Sequence, residues 1–177
     1  MPMLDTKIRP DNADAYRLGG LALLISTGII LTALGFEYLG GYAPCPLCLM
    51  QRYAFYAGIP LTFAAMALVA ERPRWAALLF FAVALAYLAN AGLATYHAGV
   101  EWHFWPGPDS CATAQALPTT PADLLKGLEN ARVVRCDEAT WRLFGLSFAG
   151  WNVLICLALF AICLQAAFAA SARDQKI

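Results

Sequence analysis

Charged side chains interrupt this chain only at long intervals. Nineteen uncharged residues lie between Arg17 and Glu37, 18 between Arg52 and Glu71, 26 between Arg74 and Glu101, and 30 between Arg142 and Arg173. A helix rises 1.5 Å per residue, so about 20 apolar residues cross a hydrocarbon core of roughly 30 Å. All four stretches meet that length, the second narrowly, and Arg52 at its end can snorkel to the interface. Strands are excluded, because the runs are continuously apolar and rich in Ala and Leu, without the alternation of a membrane barrel. The pattern predicts an all-α integral membrane protein, a bundle of four transmembrane helices over about 18–36, 52–70, 75–98 and 144–168. The intervening segments are 1–17, 37–51, 71–74, 99–143 and 169–177.

Four crossings place both termini and the 71–74 turn on one side. That side carries Lys7, Arg9, Arg17, Arg72, Arg74, Arg173 and Lys176, against Lys126, Arg132, Arg135 and Arg142 on the longer opposite segments. The positive-inside bias makes the termini cytoplasmic. Trp75, Trp102, Trp105 and Trp141 fall at span ends, where interfacial tryptophans belong. Asp5, Asp11 and Asp14 are mixed with the basic residues of the N-terminus, unlike a simple cleavable signal, so the first span reads as a retained anchor. In the second outer segment, Thr120-Pro121-Ala122-Asp123 is a helix start. Leu124, Leu125 and Leu128 share one face, predicting a short amphipathic helix lying on the bilayer; an ordinary loop turn is the alternative.

Composition agrees. The chain has 177 residues, 60% hydrophobic and 14% charged, where a soluble domain has about 25% charged. Twelve basic and twelve acidic residues cancel, so no net field draws polyanions, and nucleic-acid binding is excluded as a primary reading.

The six cysteines carry the chemistry. Cys45 and Cys48 form Cys-Pro-Leu-Cys at the mouth of the second span, Cys111 and Cys136 lie in the large outer segment, and Cys156 and Cys163 lie within the fourth span. Four cysteines therefore face the oxidising side, and an even number there suggests two disulfides. The Cys45/Cys48 ring is too small to remove much unfolded-chain entropy, so the pair suits redox cycling better than clamping. With the helix beginning near Cys48, a thiolate there meets the positive end of the macrodipole, and Arg52 one turn on adds a fixed cation. A loop closed by Cys111 and Cys136 is worth ~3 kcal/mol on chain entropy, so structural staples remain an alternative. Zinc usually takes two close pairs, whereas Cys111 and Cys136 are 25 apart, and no metal is expected. Haem attachment needs a His where Leu49 stands. Cys156 and Cys163 read as packing residues, and Asn90 as an interhelical hydrogen-bonding group.

The segments PCPLCLMQRYAFY and TYHAGVEWHFWPGPDSC, with a further cysteine before the fourth span, resemble the bacterial disulfide bond formation protein B (DsbB) family over essentially the whole chain. The resemblance implies a multi-pass protein of the bacterial inner membrane with periplasmic redox loops. Its implied activity is that of a quinone-dependent thiol oxidoreductase. A periplasmic thioredoxin-like dithiol oxidase (DsbA-like) forms a mixed disulfide with Cys111. Cys136 then exchanges with Cys45, and Cys48 faces a membrane quinone, ubiquinone or menaquinone. Arg52 and His97 match the positions of the quinone site. His97 could donate to a quinone carbonyl or shuttle a proton, or simply face water at headgroup level. His103 has no comparable match. Gln51 stands where some members carry an acid and receives no catalytic task. A paralogue serving a dedicated partner oxidase and a non-enzymatic scaffold with structural disulfides are the alternatives.

Overall fold

The computed structural model describes residues 12–108, 136–139 and 141–174. Cys111 and the helix expected from Thr120 lie outside the described residues. Four long helices dominate: α1 (Ala13–Tyr38), α2 (Pro46–Leu68), α3 (Pro73–Glu101) and α4 (Phe148–Asp174). A small hairpin, β1 (Arg142–Leu143) and β2 (Leu146–Ser147), precedes α4.

Proline sets two of the helix starts. Pro46 opens α2 and Pro73 opens α3, positions where a missing N–H costs nothing and φ is already helical. Cys45 thereby becomes the N-cap of α2, and its side chain accepts the backbone N–H of Cys48. The helix thus starts ahead of Cys48, where the sequence reading had placed its beginning. α4 starts at Phe148 rather than near 144, because the preceding residues turn. Phe144 and Gly145 take φ of 50° and 83°, both positive as a type I′ hairpin requires. Arg142 pairs with Ser147 and Leu143 with Leu146. Ser147 then caps α4, its Oγ accepting the Gly150 N–H at 3.2 Å.

α1, α3 and α4 are each long and apolar enough to cross a membrane. α2 has the length, 23 residues, but not the apolarity, since Gln51, Arg52, Tyr53, Tyr56 and two prolines dilute it. The protein is thus all-helical apart from the hairpin, with three membrane-capable helices among the described residues, and it reads as a multi-pass membrane protein.

The helices pack as a ring. α3 lies most extensively on α4 and then on α2, while α1 covers α4 and α2. Small residues allow the close approach: Ala76 and Ala94 of α3, Ala65 of α2 and Ala166 and Ala170 of α4 are all buried. Such contacts bring the helices together where lipid removes the hydrophobic drive. At mid-height Phe55, Tyr87, Cys156, Leu159 and Cys163 form the central core. Tyr87 shares a 2.7 Å hydrogen bond with Ser26, tying α3 to α1. Cys156 and Cys163 are fully buried free thiols. Asn90 donates to Cys156 Sγ at 3.3 Å, an interhelical bond as expected.

Candidate active site

The site sits at the end of the bundle where α2 begins and α3 ends. Pro44 and Pro46 hold Cys45 in extended backbone, with φ −74° and ψ 165°, so its sulfur folds back over the first turn of α2. Cys45 Sγ lies 3.3 Å from the Cys48 N–H and 3.0 Å from Cys48 Sγ. Both are free thiols, one short movement from bonding distance. Cys45 is buried, whereas Cys48 is partly exposed.

Behind Cys45 stands His97, its Nε2 3.6 Å from the sulfur. The hydrogen bond with Cys48 first, and then His97, hold the Cys45 thiol below the ordinary thiol range, against the opposing effect of burial. The local geometry therefore favours the anion on Cys45, where the sequence reading had put it on Cys48. The cause is the helix start: with Pro46 at the first helical position, Cys45 is the residue that receives the free N–H of the first turn. Three soft donors (Cys45, Cys48 and His97) lie within 4.8 Å of one another. That is short of the four of a structural zinc site, and no metal role is assigned.

Arg52, one turn beyond Cys48, turns its guanidinium to Glu37 at the end of α1, in a pair whose side chains are largely buried. This partner was not foreseen. His97 is buried and faces neither water nor the cavity described next. It is held on three sides. Gln51 Nε2 donates to its Nδ1 at 2.9 Å, Cys45 lies at Nε2, and Glu101 Oε1 is 3.8 Å from Nε2. Glu101 is itself buried and accepts the Ser147 hydroxyl. Gln51 and Glu101 are the polar residues that sequence reasoning missed. The spacing of Glu101 four residues after His97, on one helix face, was the available signal.

A cavity of about 330 Å³ opens beside Cys48, between α1, α2, α4 and the hairpin. Its walls are apolar and aromatic: Ile30, Phe36, Phe55, Trp141, Phe148 and Ile155. Trp141 and Phe148 stack at 4.7 Å, and Phe36 meets Phe148 edge-on at 5.0 Å. Cys48, Gln51, Arg52 and Asn152, with Thr32 and Tyr42, supply its polar groups. Size, flat aromatic walls and sparse donors fit a small planar apolar ring with polar substituents.

On the other flank, Cys136 is buried in one cluster with Cys45, Leu47 and Val100. Cys136 is oxidised in a disulfide, while Cys45, Cys48, Cys156 and Cys163 are free. Cys48 packs against the same cluster, and of the two inner cysteines it alone lines the cavity.

Comparison with known proteins gives the site a lineage. Residues 16–166 match the family described as disulfide bond formation protein DsbB. The chain is 30% identical over 158 residues to disulfide bond formation protein B of Marinobacter nauticus, covering 81% of this chain and 89% of that one. The protein of the same name from Aromatoleum aromaticum is 31% identical over 150 residues, 78% of this chain and 82% of that one. That of Verminephrobacter eiseniae is 32% identical over 167 residues, 88% of both. A match over most of the chain, on a helical membrane scaffold that presents a Cys-x-x-Cys pair, leads to one assignment: this chain belongs to the DsbB family of disulfide bond formation membrane proteins.

Proposed function

We propose that the protein is a four-span protein-dithiol:quinone oxidoreductase of the bacterial inner membrane. It re-oxidises a periplasmic thioredoxin-like dithiol oxidase through two cysteine pairs. The observation that supports this reading is the position of the inner pair: Cys45 shares a buried cluster with Cys136, and Cys48, packed against that cluster, also lines the aromatic cavity.

The route conserves atoms and electrons. A partner thiolate attacks Cys111, breaking a Cys111–Cys136 bond and forming a mixed disulfide. The partner's second thiol displaces Cys111, leaving the partner oxidised and Cys111/Cys136 as a dithiol. Cys136 then attacks Cys45 of the inner disulfide, expelling Cys48 as a thiolate. Cys111 resolves the Cys45–Cys136 bond, which restores the outer disulfide and leaves Cys45/Cys48 reduced. A quinone in the cavity supplies a two-electron, two-proton acceptor. Cys45, held as an anion 3.0 Å from Cys48, is placed to close the S–S bond as the pair gives up two electrons. Arg52 and Asn152 on the cavity wall offer donors to carbonyl oxygens, and the apolar walls exclude water. α2, polar at its outer end, serves as the fourth span.

The test is anaerobic turnover of a reduced thioredoxin-like dithiol oxidase by the purified protein with ubiquinone or menaquinone. One quinone reduced per partner disulfide formed is expected, and Arg52→Met should lower the rate by at least tenfold with the fold intact. Partner oxidation that proceeds equally without quinone would remove the activity from this reading.

A further inference from the structure

Five polar side chains run from the central core to Cys45 in one unbroken line. Asn90 Nδ2 donates to Cys156 Sγ at 3.3 Å, and Cys156 S–H donates to Asn152 Oδ1 at 3.4 Å. Asn152 Nδ2 donates to Gln51 Oε1 at 2.6 Å, and Gln51 Nε2 donates to His97 Nδ1 at 2.9 Å. His97 Nε2 then faces Cys45 Sγ at 3.6 Å. Every donor points the same way, from α3 through α4 and α2 back to α3. Gln51 and Asn152 each use both ends of the amide, so reversing either would set donor against donor or acceptor against acceptor. Among the described residues no buried side-chain nitrogen or oxygen is left without a partner.

We propose that Gln51 and, through it, Asn152 are positioning residues that cap Nδ1 of His97 as an acceptor, leaving its Nε2–H aimed at Cys45 to stabilise negative charge on that sulfur. A histidine ring is symmetrical enough to present either nitrogen, and the hydrogen bond at one decides what the other carries. Here the amide at Nδ1 makes that choice, as outer partners do for metal-bound histidines. Gln51 and Asn152 also form part of the cavity wall, so the line joins the wall that meets Cys48 to the buried flank of Cys45. The proposal deepens the function proposed above and rests on it for the use made of the anion; the line of bonds does not.

Among the described residues the groups facing Cys45 are few. α2 contributes Cys48, α3 contributes His97 and Glu101, and Cys136 packs there as a disulfide sulfur without charge. Arg142 of the hairpin acts on this set through Glu101.

The test uses the reduced full-length protein in detergent micelles and needs neither quinone nor partner. Nitrogen NMR of labelled histidine should show Nδ1 bare and Nε2 protonated at His97, with exposed His103 as the reference. Site-resolved mass spectrometry of iodoacetamide-treated protein gives the pH profile of Cys45. In Gln51→Met, similar in size but unable to donate, the His97 signals should become a tautomer mixture, and the Cys45 midpoint should rise by about one pH unit. Gln51→Glu, whose ionised carboxylate accepts rather than donates, should instead place a proton on Nδ1 of His97. Asn152→Leu, on the cavity wall, should shift the Cys45 midpoint upward as well, and it serves if Gln51→Met does not fold. Protonated Nδ1 in the unaltered protein, or midpoints unchanged in both apolar variants, would overturn the proposal. Lost quinone turnover with these profiles intact would count against the proposed function alone.

Discussion

Cys45 receives more at its sulfur than its neighbour does. The N-cap position gives it the Cys48 N–H, the second thiol lies 3.0 Å away, and His97 closes the far side. Thiolate, not thiol, is the nucleophile, and it exists above the pKa. Because these contacts lower the Cys45 pKa, its anion should persist from alkaline through neutral pH and be lost only as pH falls through the depressed value. Alkylation of the reduced protein checks this: Cys45 should react at a nearly constant rate between pH 6 and pH 9. A midpoint at ~8.5, that of a free cysteine, would refute it. The Cys-x-x-Cys pair and Arg52 could be read from the sequence because their spacing is local. Gln51 could not. Its partners, His97 and Asn152, are 46 and 101 positions away, and only the helix packing brings them together. Glu37 was hidden from Arg52 in the same way, by a turn between α1 and α2.

At the scale of the element, the uncharged runs located four helices, but their ends obey local chemistry. α2 starts at Pro46, and α4 waits until the Phe144-Gly145 turn is complete. An apolar count alone does not see such a turn. Packing between elements shows most clearly at Gly58 of α2. A Cβ there would stand 2.5 Å from Tyr87 Oη, and Tyr87 is fully buried, hydrogen-bonded to Ser26 and 5.5 Å from the Phe55 ring. Gly58→Ala gains about 1 kcal/mol of helix propensity, yet overpacking costs about 1–3 kcal/mol, and the Ser26 bond is lost in addition. Net destabilisation is expected in denaturant titration in mixed micelles. Tyr87→Phe in the same background should recover part of it, since the clash is with the hydroxyl. An unchanged midpoint in Gly58→Ala would show that α2 and α3 are not this close.

For the whole molecule, the bias of Arg and Lys predicted which face is cytoplasmic, and the proposed four spans put the Cys45 end of the bundle outside. Glu71, in the α2–α3 turn, and His103, after α3, are both exposed at opposite ends of α3. In a background with all six cysteines replaced by Ala, impermeant maleimide should label His103→Cys in intact cells. Glu71→Cys should be labelled only after permeabilisation. The reverse pattern would invert the bundle. The cluster that gathers Cys136 with Cys45 was legible only through the family resemblance, not from spacing, because the two cysteines lie far apart in the chain. Its position has a further meaning. Of the inner pair, one sulfur is buried with Cys136 and the other lines an apolar cavity, and they lie within a single helical turn. On the proposed route, a soluble reductant and an oil-soluble oxidant therefore never have to meet: the two reagents, which share no common solvent, do business across the width of one S–S bond.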